Sequence, residues 1–409
     1  MRIAIDGSHL DTAGGVRTYI TNLLHALTTA EPNHDYSIYS RGPRPPSGAP
    51  PLKRGVRARR VHVRTPRRLF STVENVLGWP PAEYWCGAID VFHGTHFTLP
   101  PTRRARRVLS VMDTIYLRHP EYYEDRRLNE YGYRRLLPHA LKRAHRVLAI
   151  SETTKRDLIE LCNVAADRIW VVPLGRDMRF FPSDGHEVAH VLARYQVARP
   201  YVIYPMGTLE PRKNLTRVLH ALRNAFPRAA ERPLLLLTGV GTLSTEMRET
   251  IERLELARDV HWIHAKYPDE LRALMTGALW GIYASLYEGF GLPALEMLAC
   301  GLPTVVSAAS AVPEVVGDAA LLAEPTDLYA IAAGMERLHL DEALRARLRA
   351  RALARANAPA FQWGRVAQQT FAAYRDDYAA YAAEPMPSAS AEEIPATATT
   401  APPTLVVVE

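Results

Sequence analysis

Short apolar runs recur along the chain, each followed by a turn and then a stretch with apolar residues at every third or fourth position. A run of strand length fits a buried strand, and the wider spacing fits a helix with one face on a core. Arg2–Asp6 is the first such strand, followed by a turn at residues 11–17 and an amphipathic helix from Tyr19 to about Leu27. Ile89–His93, Val108–Val111, Arg146–Ile150 and Trp170–Val172 read as further strands. Residues 134–146 read as a helix interrupted at Pro138, and Ser151 as the N-cap of the helix that starts at Glu152. The second half repeats the scheme, with strands near 201–206, 234–238, 260–263, 279–285 and 303–306, and closes with a helix over 361–381. This alternation predicts an α/β chain built on parallel sheets.

Length adds a division. A chain of 409 residues exceeds what one compact core organises, so two domains are expected. The turn-rich stretch 171–185 marks the linker. The expected units are 1–180 and 181–365, then a helical segment over 366–382. From Ala383 the composition turns to Ala, Pro, Thr, Ser and Glu, which predicts a disordered tail over 383–409.

Charge changes the picture in one place. Residues 1–182 carry a balance of +12 and the remainder −5. Within Arg41–Arg68 ten basic residues and six prolines stand with no acidic residue, which reads as an exposed loop able to touch anionic lipid head groups or a lipid-linked diphosphate. Aromatics are sparse in that run, so nucleic acid is not expected as a partner. Cys86, Cys162 and Cys300 are scattered and odd in number, which argues for a reducing compartment. The start, MRIAID, opens as a strand without a leader pattern, and no apolar run approaches the ~20 residues of a membrane span. The expected location is the cytoplasm, with peripheral contact to the inner membrane through residues 41–68.

The candidate chemistry lies in two strand-to-helix turns. Residues 278–301 read ALWGIYASLYEGFGLPALEMLACG. An apolar strand leads into a glycine-rich turn, Pro293 suits the first turn of a helix, and Gly301 suits its end. Free backbone N–H groups and the helix dipole at such a turn attract an anion. Glu288 and Glu296 flank the turn, where a carboxylate suits the vicinal hydroxyls of a sugar. The second turn, GTLEPRKNL at 207–215, follows the strand Tyr201–Met206 and sets Arg212 and Lys213 where cations face a diphosphate. Two such strand ends describe a nucleotide-sugar site at the carboxyl edge of a parallel sheet.

EGFGLPALE resembles the paired-glutamate signature of retaining glycosyltransferases of the large glycogen-synthase-like family, family 4. GTLEPRKNL resembles its mannosyl- and deoxyhexosyltransferase-like subgroup of bacterial polysaccharide assembly. The resemblance implies the GT-B architecture: two Rossmann-like domains facing across a cleft, with the C-terminal helix crossing back onto the first. It implies a retaining hexosyltransferase that uses a nucleoside-diphosphate sugar, GDP-linked by preference, with no metal or other cofactor, and a glycan or lipid-linked saccharide as acceptor. Glu288, Arg212, Lys213 and Asp113 become the candidate catalytic residues. Gly15, His93, His96, Met112, Lys266, Tyr267, Gly289, Phe290, Gly291, Leu292 and Glu296 become candidate substrate contacts. Glu288 would lie by the donor sugar, Glu296 by the ribose, Lys266 and Tyr267 by the base, and the Gly14–Gly15 loop over phosphate and acceptor. Family members usually carry histidine where this chain has Met112, which raises the possibility of a 6-deoxyhexose donor. A UDP- or dTDP-sugar-dependent transferase, or an epimerase or hydrolase on the same fold, is the alternative; only a transferase is accelerated by an added sugar acceptor.

Overall fold

The computed structural model describes residues 1–11, 14–47, 52–64, 78–122, 131–265 and 268–382. Its first sheet holds β1 (Arg2–Asp6), β2 (Asp35–Gly42), β3 (Ala58–Arg64), β4 (Val91–Gly94), β5 (Arg106–Val111), β6 (Arg146–Ala149) and β7 (Ile169–Val171). The seven strands run parallel in the order β3-β2-β1-β4-β5-β6-β7. The second sheet holds β8 (Tyr201–Gly207), β9 (Leu234–Gly239), β10 (Val260–Ile263), β11 (Gly281–Tyr283), β12 (Thr304–Ser307) and β13 (Leu321–Ala323). Its six strands are also parallel, in the order β10-β9-β8-β11-β12-β13. Central strands such as Ile3–Ile5 and Val202–Tyr204 are fully buried. That is the expected state of a parallel sheet with helices on both faces, and it is why these strands read as continuous apolar runs.

Strand order reverses once in each sheet, between β1 and β4 and between β8 and β11. Loops leaving neighbouring strands at such a point diverge to opposite faces and open a crevice at the carboxyl edge. Both sequence motifs fall at the second crevice, one after β8 and one after β11.

Six helices matter for the site: α1 (Gly15–Ala30), α2 (Glu152–Cys162), α3 (Leu215–Ala225), α4 (Leu292–Ala299), α5 (Val312–Val316) and α6 (Trp363–Arg375). Ser151 caps α2, accepting from the Thr154 amide at 3.0 Å, as the sequence predicts. Helix α6 follows the second sheet in sequence and packs on α1 of the first. Its Trp363 indole donates to the Arg176 carbonyl at 3.0 Å, and Arg375 pairs with Glu31 at 2.9 Å. A short helix follows it, from which Tyr381 stacks on Trp170 with ring centroids 4.4 Å apart.

One expectation is corrected. The basic segment 41–68 is not simply a loop. Arg41 and Gly42 finish β2, and Ala58–Arg64 form β3, registered along β2 from Tyr36↔Ala58 to Gly42↔Arg64. Val63 turns inward while the flanking arginines stay exposed or half-buried, an arrangement an edge strand permits because one side meets solvent. Residues 48–51 and 65–68 lie outside the described residues, as does the 383–409 tail. Among the described residues no helix is long and apolar enough to cross a membrane.

Candidate functional site

The two loops of the second crevice are tied to each other. The Leu286 amide donates to the Arg212 carbonyl at 2.8 Å, and the Asn214 side-chain amide donates to the Ala284 carbonyl at 3.0 Å and the Pro325 carbonyl at 2.7 Å. Asn214 starts α3 with φ 59°, a left-handed conformation that asparagine tolerates. This framework brings Arg212, Lys213 and Glu288 into one cluster.

Glu288 Oε1 accepts from three donors: the Lys213 ammonium at 2.7 Å, the Tyr283 hydroxyl at 2.7 Å and the Arg212 guanidinium at 2.6 Å. Lys213 is 3% exposed and also donates to the Tyr283 hydroxyl at 3.0 Å. Arg212 reaches Glu210 at 2.5 Å as well. Burial works against the Glu288 carboxylate, but the Arg212 and Lys213 charges outweigh it and bring its pKa down to about 2. Burial pushes the Lys213 ammonium below its ordinary value, and Glu288 resists that shift. The result is a fixed pair of cations whose mutual repulsion Glu288 relieves.

Downstream, Gly291 takes φ 100° and starts α4, a conformation that L side chains rarely adopt. Glu296 sits on α4 beside Asp177 and Arg179. Burial, then the Asp177 charge, raise its pKa to about 8 against the opposing pull of Arg179.

The first domain closes directly on this loop. A Cβ on Gly289 would fall 2.4 Å from the Met112 carbonyl oxygen and 2.6 Å from Asp113 Cβ. The Gly289 carbonyl accepts from Ser151 at 2.7 Å and from Thr154 at 3.3 Å. The Tyr287 hydroxyl meets Asp157, and Thr114 Oγ1 lies 3.1 Å from it. Glu314 of α5 accepts from the amides of Glu152 at 2.7 Å and Thr153 at 2.8 Å, so a carboxylate from the second domain caps α2 of the first.

Candidate contacts from the sequence divide by place. Asp113 lies under Gly289, its Oδ1 accepting from Tyr133 at 3.1 Å and from the Ile115 amide at 3.2 Å. Burial raises its carboxyl pKa, opposed by Arg212. Gly15 is exposed at the start of α1, and a Cβ there would stand 3.4 Å from Leu292 of the second domain. His96 is half-buried at the carboxyl edge of the first sheet, in ring contact with His9 and Phe97.

Three candidates prove to be interior. His93 is fully buried, and its ring nitrogens meet Tyr374 and Ser110, each at 2.7 Å. Neither nitrogen is left for a substrate, because its strand end lies beneath α6. The Phe290 side chain packs into the core, with its ring 6.3 Å from that of Phe361. Met112 is 7% exposed and its side chain joins the core, while its backbone carbonyl is the atom nearest to a Cβ on Gly289. Lys266 and Tyr267 lie outside the described residues.

Sequence reading passed over Tyr283, Tyr287, Ser151 as a cleft group, Asp157 and Glu314. Tyr283 and Tyr287 stand five and one positions before Glu288, but an aromatic in an apolar run reads as core. The Glu314 contact joins residues 162 positions apart and leaves no local signal.

Comparison with known proteins agrees with this arrangement. Residues 13–180 match the family model for Glycosyltransferase Family 4, and residues 195–355 that for Glycosyl transferases group 1. The chain is 34% identical to an O-antigen chain mannosyltransferase B of Escherichia coli over 287 residues, covering 70% of this chain and 74% of that one. The chain belongs to glycosyltransferase family 4. This family-4 glycosyltransferase also shares its fold with solved structures. Sucrose-phosphate synthase from Thermosynechococcus elongatus superposes with a TM-score of 0.70 at 20% identity, over 93% of this chain and 100% of that one. WaaG, a glycosyltransferase involved in lipopolysaccharide biosynthesis, superposes with a TM-score of 0.67 at 15% identity, over 90% and 98%. The two parallel-sheet domains are therefore those of the GT-B architecture.

Proposed function

We propose that this glycosyltransferase moves a hexose, mannose by preference, from a GDP-linked donor to a saccharide acceptor in the assembly of a bacterial surface polysaccharide. The observation that carries the reading is the paired cation site of Arg212 and Lys213 at the second crevice, organised by Glu288. The name of the 34% identical relative supports mannose and the O-antigen setting. The expected acceptor is a glycan or lipid-linked saccharide, and contact with the inner membrane through the basic segment is part of the same proposal.

The chemistry follows from charge. As the bond from the sugar's anomeric carbon to the donor phosphate breaks, negative charge grows on the leaving diphosphate, and Arg212 and Lys213 lie where they stabilise it without a metal. Glu288 is committed to holding both cations, which favours a structural charge over a nucleophile. The acceptor oxygen then attacks from the face the diphosphate leaves, and its proton passes to a leaving phosphate oxygen, so configuration is retained. Glu296 would hold the ribose hydroxyls.

The test is a thermal-shift screen over GDP-, UDP- and dTDP-sugars, followed by product analysis with a mannoside acceptor. A ligand at 100 times its dissociation constant adds about 2.7 kcal/mol of stability. GDP-mannose should give the largest shift and an α-linked product. A 6-deoxyhexose donor, or a larger shift with UDP- or dTDP-sugars, would replace the donor assignment. Donor consumption unaffected by any acceptor would favour hydrolysis or epimerisation.

A further inference from the structure

The buried tyrosine at the end of β11 has a place in this chemistry. Tyr283 is fully buried, and its hydroxyl touches both partners of the Lys213–Glu288 pair, donating to Glu288 Oε1 at 2.7 Å and accepting from Lys213 Nζ at 3.0 Å. An ammonium has three hydrogens, and here one goes to Glu288 and one to Tyr283. The two acceptors fix the direction of the third. A second tyrosine, Tyr204, donates its hydroxyl to the Lys213 carbonyl and meets the Tyr283 ring edge-on, with centroids 6.2 Å apart. Backbone and side chain of Lys213 are thus anchored separately.

We propose that Tyr283 is a positioning residue, whose hydroxyl braces the Lys213–Glu288 ion pair at fixed geometry so that one ammonium hydrogen stays directed at the donor's diphosphate. The inference rests on the proposed role of Lys213 at a diphosphate and deepens it. Without the hydroxyl, a buried ammonium loses one acceptor, its charged form becomes harder to keep, and its remaining bond to Glu288 no longer fixes where the other hydrogens point. Among the described residues, the other charged groups facing the pair are Arg212 on the same loop, Glu210 beside Arg212, Asp113 from the first domain and Glu296 of α4, whose own titration is common to all the proteins compared below. The Tyr283 hydroxyl itself titrates far above the working range because it is buried against Glu288.

The experiment measures calorimetric binding of inorganic pyrophosphate between pH 6 and 10, for wild type, Tyr283→Phe and Tyr201→Phe. Phenylalanine keeps the ring that packs against Tyr204. Tyr201 is a buried tyrosine of the same sheet whose hydroxyl donates to the Leu274 carbonyl at 2.8 Å, remote from the cluster. Pyrophosphate's own titration is common to all three proteins. Tyr283→Phe should bind about tenfold more weakly at pH 7, the loss of one hydrogen bond to a charged group. Its alkaline decline should begin about one pH unit lower, because the ammonium deprotonates sooner. Tyr201→Phe should superpose on wild type. A Tyr283→Phe curve that matches wild type, or that is lowered equally at every pH, overturns the inference. Failure of wild type to bind pyrophosphate overturns the diphosphate assignment itself, and is told apart by appearing before any substitution.

Discussion

The Ser151 hydroxyl of the first domain donates to the Gly289 carbonyl of the second at 2.7 Å. On the other side of Glu288, the Tyr287 hydroxyl meets Asp157. Both neighbours of the cluster's carboxylate are therefore held by the opposite domain. Separating the domains would break these contacts, while the ties between the two loops of the second domain, Leu286 to Arg212 and Asn214 to Ala284, would still hold Glu288 near Arg212 and Lys213. The first domain thus steadies the loop that carries Glu288, which couples the docking of the two domains to the geometry of the site.

Gly289→Ala tests this coupling. The added methyl meets the Met112 carbonyl and the Asp113 Cβ, a backbone atom and the root of a side chain, neither of which can yield cheaply. Turnover should fall at least ~100-fold, while nucleotide affinity, carried by the second domain, should change little. Kinetics beside calorimetry with a nucleoside diphosphate decide it, and a variant with near-normal turnover would show that full closure is not needed.

Lys213→Met keeps the length of the side chain and removes its charge. Loss of one charged stabiliser of the leaving group should reduce kcat by about 10²–10³-fold. Arg212 and Tyr283 still partner Glu288, so the fold should persist, with a stability loss on the order of 1–3 kcal/mol. Steady-state rates and a urea melt measure the two effects separately. Equal rates for the variant and wild type would remove Lys213 from the chemistry.

Glu296 couples nucleotide binding to pH. Its carboxyl titrates near 8, so below that pH it is largely protonated. If the ribose hydroxyls require the carboxylate, affinity for a nucleoside diphosphate should rise by up to tenfold per unit from pH 6 to 8 and then level. Glu296→Gln should weaken binding at pH 8.5 by about 1.5–3 kcal/mol and abolish that rise. The linked stability runs the other way. The folded protein holds this proton between the ordinary 4.5 and 8, so the group's contribution is greatest below 4.5 and declines as pH rises through that window. A flat affinity profile in wild type would refute the assignment.

His93 predicts an acid sensitivity unrelated to catalysis. Burial holds its imidazole neutral, with a pKa brought down to about 3 from 6.5. A depressed histidine contributes stability that is complete above 6.5 and is lost as pH falls toward 3. Between pH 6.5 and 5 the loss should be on the order of 2 kcal/mol. His93→Gln should start less stable but show a shallower decline in melting temperature over that interval. Parallel curves would mean that some other group sets the acid limit.

Much of the fold was legible because parallel strands buried on both faces leave unmistakable apolar runs. Ile3–Ile5 and Leu234–Leu237 are examples, and the Ser151 cap could be read residue by residue. The strand β3 was hidden because its exposed positions carry Arg59, Arg60 and Arg64, which mimic a solvated loop, while Val63 alone turns fully inward. Within the site, Arg212, Lys213 and Glu288 were visible because each stands on a turn whose chemistry is local. The contacts of Glu314 with α2, of Gly289 with Asp113 and of His93 with Tyr374 were not. They depend on how two domains and a returning helix meet, and no spacing along the chain encodes that.

The cap that Glu314 places on α2 bears on how such enzymes can be recombined. The first two amides of that helix find their carboxylate in the other half of the chain. A hybrid that joins the first half of one relative to the second half of another inherits the two sides of this contact from different parents. Parents that agree at the positions of Ser151, Thr153, Gly289 and Glu314 should give hybrids that close. Parents that differ there should give two well-folded halves joined by a silent cleft.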